Sequence, residues 1–591
     1  MKSLKYLNKY LYKYRVRLLL GLLFVSLSGW LKVYSVEFIK ESLDWVTKNI
    51  SQSSGFMPAA LWHLVKLGII FFALTVVSGI FLFLTRQTII VTSRLIEFDL
   101  KNEVFEHYQN LDLAFYKRNS TGDLMNRISE DVGQVRNYFG PAIMYTTNTI
   151  TIVTFTLIYM IKINFVYTLY VFSPLPILYL SVYYISTQIN DRSTLVRQQL
   201  SVLFSKAQES FSGIRVIKSY MLEKTLGRDF DEQCIDYKKK NMYLVNMDAL
   251  FLPLIMFLIG ISQVLIIYIG GRQVLQGIIT IGSVLAFIIY VNYLVMPIAS
   301  VGMITSLVQK AAASQTRINE FLQTEPTIKS EEGDDIKIEG ELEFSNVSFV
   351  YPDTGIKALD DVSFKVGKQE SIGIVGRTGS GKSTIAQLVC RLYDTTSGII
   401  WVDGKNIRRI PLSSLRSRVG YVPQEVFLFS DTIAANIAFS TDGNKEDLRK
   451  RVEQSAKDAA IYDNIMEFND GFDTYVGERG VTLSGGQKQR VSIARAMLKA
   501  PNILVMDDCL SAVDTNTEQE ILFNLQRFME GRTTIIISHR VSSVKMCDKI
   551  LVLEKGKVAE YGTHHELIAA KSHYREMYEM QLAEGSTISD T

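Results

Sequence analysis

The chain has 591 residues and a net charge of +3, with 48% of residues apolar and 21% charged. That length exceeds one ordinary hydrophobic core and requires at least two domains, and the positive mean hydropathy combined with many charges fits a membrane segment joined to a water-soluble one better than either alone. Near-balanced charge argues against a nucleic-acid partner, and Cys234, Cys390, Cys509 and Cys547 lack the spacing of a zinc site or a disulfide framework.

The N-terminal stretch MKSLKYLNKYLYKYRVRLLLGLLF is basic and then apolar, with no small-residue cleavage site after it. It reads as an amphipathic, interface-lying piece leading into an uncleaved first helix. Six apolar runs in the first 310 positions are long enough to cross a bilayer, near 16–44, 57–86, 136–161, 165–186, 250–272 and 279–305. The gaps after the second and fourth runs are long and rich in Arg and Lys, which places both termini and both long loops in the cytosol. Those loops, roughly 87–135 and 187–249, carry apolar residues at helical spacing, so the second to fifth helices should continue beyond the membrane. Charges inside the runs are few: Lys32, Glu37 and Lys40 in the first, Lys66 in the second, and Asp248 at the edge of the fifth. An intramembrane charge is a functional candidate, and snorkelling near a helix end is the simpler reading.

Beyond about residue 321 the texture changes. An acidic, polar linker (321–339) opens into short alternating β-type sequence, followed by a soluble α/β domain over 340–580 and a tail over 581–591 expected to be disordered. Strand signals occur at SIGIVG, GYVPQ, NILVMDD, TTIIIS and KILVLE.

The stretch GIVGRTGSGKSTIAQLV contains G-x-x-x-x-G-K-S from Gly376 to Ser383, between a strand and a helix. This context identifies a phosphate-binding loop. Gly376, Gly379 and Gly381 free the backbone amides to turn inward, and the helix opening at Lys382 presents its positive end to the same anion. Lys382 neutralises the terminal phosphates and the Ser383 hydroxyl suits Mg2+. Arg377, Thr378, Ser380 and Thr384 complete the candidate nucleotide cradle.

Downstream, LSGGQ (483–487) lies directly before a helix and just ahead of an apolar strand ending in two carboxylates, Asp507 and Asp508. With these motifs in this order, almost the whole chain resembles the ATP-binding cassette (ABC) exporters. The resemblance implies an all-α six-helix transmembrane domain followed by an α/β P-loop cassette, with ATP and Mg2+ as cofactors. It assigns Tyr351 to stacking on adenine, and Ser383, Gln424 and Asp507 to the metal. The signature Ser484, Gly485, Gly486 and Gln487 would meet nucleotide held by a partner cassette, "SAVD" ending at Asp514 would be the D-loop, and His539 would contact the γ-phosphate. The segments 113–132 and 209–224 resemble the intracellular loops whose short coupling helices dock on the cassettes. TIGSVLAFIIY resembles the start of the sixth helix, and the segment with Glu478 resembles the exporter-type approach to the signature.

In this family the residue after the Walker B aspartate is normally glutamate, the candidate base for the attacking water. Asp508 holds that carboxylate one methylene short, so nucleotide should bind well and turn over poorly. One cassette per chain implies a second subunit, and the short carboxylate points to a heterodimer in which this chain contributes the weak site. A homodimer tolerating Asp508 is the alternative. The expected cargo is amphiphilic, with multidrug efflux ahead of lipid flipping and peptide export third, since no peptidase-like extension precedes the first helix. A channel or regulator gated by ATP is the rival from another class.

Overall fold

The structure is a computed structural model, and it describes residues 2–50, 58–331, 333, 336–441, 445–477, 483–509, 515–570 and 572–588. The chain divides into two compact units: residues 1–109 with 122–324, and residues 110–121 with 325–591.

Among its described residues the first unit is built of helices and their connections. Among the described residues, five helices are long and apolar enough to span a membrane: Arg15–Lys48, Leu61–Asn110, Thr121–Ile163, Glu223–Leu275 and Ile281–Leu322. The expected fourth run, 165–186, is not one continuous helix. It divides into Phe165–Phe172 and the start of Leu175–Ser212, because the ring of Pro174 cannot donate to the preceding turn. Several helices overrun the bilayer core as expected: the 53 residues of Glu223–Leu275 cover roughly 80 Å at the α-helical rise, against a hydrocarbon thickness of about 30 Å. The sixth expected run begins at Ile281, where Thr280 caps the helix by accepting from the Ser283 amide at 3.2 Å. Asp44 fastens this start to the first helix, accepting from the Gly282 amide and the Thr280 hydroxyl, each at 2.8 Å. The apolar centre between these helices includes Val33, Met160, Phe287 and Tyr167, whose hydroxyl donates to the Ile266 carbonyl at 2.6 Å.

The N-terminal piece makes contacts with protein that the sequence reading did not include. Tyr6, Lys9 and Tyr10 all donate to the Glu103 carboxylate, the last two at 2.5 Å, and Lys13 reaches Asp99 at 2.6 Å. Its alternation of Lys and Tyr, read as an interface signature, is the complement of two acids one helical turn apart on Val91–Asn110. Replacing Glu103 with alanine removes the shared acceptor of three donors. That is expected to cost about 2–4 kcal/mol, read as a fall in the thermal midpoint of the purified chain.

Among its described residues the second unit holds three sheets. A four-stranded antiparallel sheet is built on Leu342–Val350, which pairs with Lys357–Val366 on one side and Ser397–Val402 on the other. The six-stranded sheet runs, in spatial order, Lys557–Gly562, Lys549–Glu554, Ser371–Gly376, Thr533–Ile537, Ile503–Asp507 and Val419–Val422. All its neighbours pair in parallel except the first two. The central three strands are buried at every position, which is why they read as continuous apolar runs without alternation. The short helix Leu113–Arg118 clusters with this unit: Ala114 joins its core, and Asp112 caps the helix while accepting from the Thr327 amide at 2.7 Å. Helix His573–Ile588 runs through most of the stretch expected to be a disordered tail.

Candidate nucleotide site

The sheet register sets the site. Leu553 pairs with Gly376 and Ile537 with Asp507, so the phosphate-binding loop, the acidic strand end and the turn holding His539 all leave the same carboxyl edge. That edge is where doubly wound α/β sheets hold their ligands.

Gly376 and Gly381 have φ of 154° and 100°, and a Cβ on either would meet a carbonyl oxygen, Leu553 O at 2.2 Å or Ala358 O at 2.4 Å. Only glycine allows the loop to close over its neighbours in this way. Lys382 opens the helix Lys382–Val389 and donates to the carbonyls of Gly376 and Arg377 at 2.7 and 3.0 Å, which holds its ammonium at the loop. Arg377, Thr378 and Gly379 form the exposed crest, while Ser380 is buried and its hydroxyl has no hydrogen-bond partner. An orphaned buried hydroxyl in a glycine-rich loop beside the Lys382 ammonium fits a phosphate oxygen.

Ser383 Oγ donates to Asp507 Oδ1 at 2.9 Å, so the two expected metal ligands converge. Two oxygen donors beside the cradle suit Mg2+, which binds few protein groups and keeps substrate phosphate and water for the rest of its shell. Gln424, assigned to the same ion, is bonded elsewhere: its Nε2 donates to Asp508 Oδ2 at 3.3 Å. The second Asp508 oxygen accepts from the His539 backbone amide at 3.4 Å. Asp508 itself has φ of 45° and is anchored by its amide to Ile537 O at 2.8 Å. The three expected catalytic residues therefore meet at one carboxylate.

Burial governs the electrostatics. It pushes the Asp507 carboxyl above its usual range, helped by Asp508 and opposed by the Ser383 hydrogen bond and Lys382. It depresses the Lys382 ammonium, with Asp508 and Asp507 acting in the opposite direction. It also lowers His539, reinforced by Lys382 and opposed by Asp508, so the imidazole is neutral at pH 7 and can accept or donate according to its tautomer.

Tyr351 lies beside the loop, with its hydroxyl 2.9 Å from Thr384 Oγ1 and Phe349 packed edge-on at 4.9 Å. Sequence reading missed its neighbour Lys117, whose ammonium sits 5.0 Å from the Tyr351 ring centroid and 5.6 Å from that of Tyr393. The partners lie more than two hundred positions apart, and no local pattern signals such a contact.

Ser484 and Gln487 form a reciprocal capping box at the start of Gly485–Leu498, with bonds of 2.9 and 3.3 Å. Among the described residues no hydrogen bond joins 484–487 to the phosphate-binding loop. Glu478 and the D-loop 511–514 lie outside the described residues.

Comparison with known proteins agrees with this geometry. Residues 18–298 match the family model "ABC transporter transmembrane region", and residues 359–511 match "ABC transporter". The chain is 37% identical over 87% of both sequences to the "Probable multidrug resistance ABC transporter ATP-binding/permease protein YheI" of Bacillus subtilis. It is 33% identical to an "ATP-dependent lipid A-core flippase" of Syntrophus aciditrophicus, covering 82% of this chain and 80% of the relative. A solved structure described as "a bacterial Atm1-family ABC exporter with ATP bound" superposes with a TM-score of 0.77 at 28% identity, covering 96% of this chain and 98% of the other.

Proposed function

The chain belongs to the ABC transporter family as an ATP-driven exporter with a transmembrane region fused to its cassette, and from that premise we propose that it pumps amphiphilic compounds out of the cell as one half of a heterodimer whose weaker ATP site it supplies. The observation that carries the weak site is the Asp508 carboxylate, engaged by Gln424 and by the His539 amide at 3.3 and 3.4 Å. A base that orients water must reach a further atom, and the missing methylene removes that reach.

Exporters of this family work as dimers, and the surface supports an incoming partner. The tip around the short helix Ile214–Ser219 buries none of its residues, and beside it Phe211, Tyr220 and Met221 are 76%, 73% and 85% exposed. Apolar residues left this open fit a contact made in the assembly. In that assembly the capped helix start at Ser484–Gln487 would close over nucleotide held by the partner.

When bound, Mg2+ would be held by Ser383 and Asp507 and would neutralise charge developing on the phosphates. The protein's own contribution is positional. The loop amides and Lys382 fix the triphosphate, Tyr351 offers a ring to the base, and neutral His539 stands beside the carboxylate. Closure of two cassettes around ATP, and reopening after hydrolysis, would drive the helices between inward- and outward-facing states, with both termini cytosolic.

The test is to purify the chain alone and with its co-purifying subunit, reconstitute both into vesicles, and follow ATP hydrolysis and uptake of an amphiphilic dye. Hydrolysis and uphill transport are expected only from the pair, and should vanish when the partner's catalytic glutamate becomes glutamine. Robust turnover by this chain alone defeats the heterodimer, and ATP-dependent flux that never exceeds the dye's gradient defeats the pump in favour of a channel. Lipid movement is the second reading, favoured by the likeness to a lipid A-core flippase.

A further inference from the structure

The first unit contains a cavity of 460 Å³ between the first helix, Ile143–Ile163 and Ile281–Leu322. Its lining includes Lys32, Asn148, Asn292, Tyr293 and Met296. Lys32 lies about 22 Å along the helix from Arg17, near the middle of Arg15–Ile50 and far from either helix end.

Its neighbouring charges are already paired. Lys40 bonds Glu37 at 3.4 Å, and Asp44 accepts from Thr280 and Gly282. Among the described residues Lys32 has no ion pair, and its ammonium rests 4.7 Å from the centroid of Tyr293, a second lining residue. Pro297 deepens the polarity, because it cannot supply the amide that the Tyr293 carbonyl would otherwise accept in a regular helix. Asn148 and Asn292 add amide groups to the same lining, the Asn292 side-chain carbonyl accepting from Gln263 at 3.4 Å, and Met296 supplies an adaptable apolar surface. A lone cation held at membrane depth is costly unless something in the cavity compensates it.

The geometry points to an anionic cargo subsite: Lys32, with Asn148 and Asn292 in the same lining, receives the carboxylate or phosphate of an acidic amphiphile whose apolar body lies along Tyr293 and Met296. This deepens the exporter reading and rests on it. Acidic amphiphiles reach such a cavity either from water or as membrane lipids, and the same ammonium serves both.

The test uses the full chain in nanodiscs of neutral phosphatidylcholine. Fluorescence polarisation follows binding of a dansyl-labelled long-chain carboxylic acid and of the amine of equal chain length. The wild type is expected to prefer the acid by roughly tenfold, the worth of one charge-assisted contact. Lys32→Ala should lose the preference and Lys32→Arg should keep it, while a fluorescent ATP analogue binds all three equally and reports an intact chain. Phosphatidic acid added to the discs displaces the probe if lipid is the source, whereas displacement only by unlabelled fatty acid marks a water-borne cargo. Equal binding of acid and amine by the wild type, or a preference that survives in Lys32→Ala, overturns the subsite and leaves the exporter intact. If neither amphiphile binds in any variant, the amphiphile reading fails and the subsite with it.

Discussion

Asp508→Glu is expected to raise ATP turnover at this chain's own site by about 10- to 100-fold while leaving nucleotide affinity unchanged. A catalytic group displaced by about 1 Å forfeits roughly 10²-fold in rate, and one methylene restores about that reach. The present carboxylate spends itself on Gln424 and the His539 amide, at distances of 3.3 and 3.4 Å. A longer side chain can pass these donors and still be oriented by them. The backbone sets a limit on the gain. Asp508 has φ of 45°, a left-handed conformation that aspartate tolerates better than glutamate, so the substitution should cost on the order of 1 kcal/mol and lower the thermal midpoint slightly. Faster turnover in a slightly less stable protein is the combined signature. It separates a repaired base from a general improvement in folding. The measurement is single-turnover hydrolysis with the partner's site disabled, and an unchanged rate with normal nucleotide binding would show that something other than carboxylate reach limits this site.

What could be read from sequence follows the range of the interactions. The phosphate-binding loop was legible because its chemistry is local: eight consecutive residues carry the turn, the cation and the hydroxyl, and φ of 154° and 100° at Gly376 and Gly381 explains why those glycines stand there. Asp507 was legible because it ends an apolar strand, and His539, two residues beyond the end of another, was legible only through the family resemblance; parallel register brings both strand ends to one edge. The fourth helix was misread since average hydropathy does not register the break that a single proline imposes. The contacts of the basic N-terminal piece were not legible because its acceptors, Asp99 and Glu103, lie some ninety positions away. The surroundings of Lys32 were not legible for a related reason. Charge and hydropathy report depth poorly, and only packing reveals that a lysine faces a cavity and has an aromatic ring as its neighbour.

Lys382→Ala should weaken ATP binding by roughly 30- to 1000-fold, the equivalent of about 2–4 kcal/mol for the charge-assisted contacts of one buried ammonium. Two effects add. The direct one is loss of the cation that the Gly376 and Arg377 carbonyls hold over the loop. The indirect one acts through Asp507, whose carboxyl burial already pushes up and which Lys382 pulls down. Without the lysine that carboxyl moves further up, and a protonated Asp507 cannot ligate Mg2+. The sign of the pH dependence follows: affinity should fall as pH decreases in both proteins, with the fall beginning at higher pH in Lys382→Ala. Lys382→Arg should sit between them, since it keeps the charge but its planar fork cannot occupy a pocket shaped for a point cation. Titrating a fluorescent ATP analogue with Mg2+ across pH resolves both effects. An alanine variant that binds as tightly as the wild type would remove the loop from its assigned role, and a parallel loss at every pH would confine that role to the direct contact.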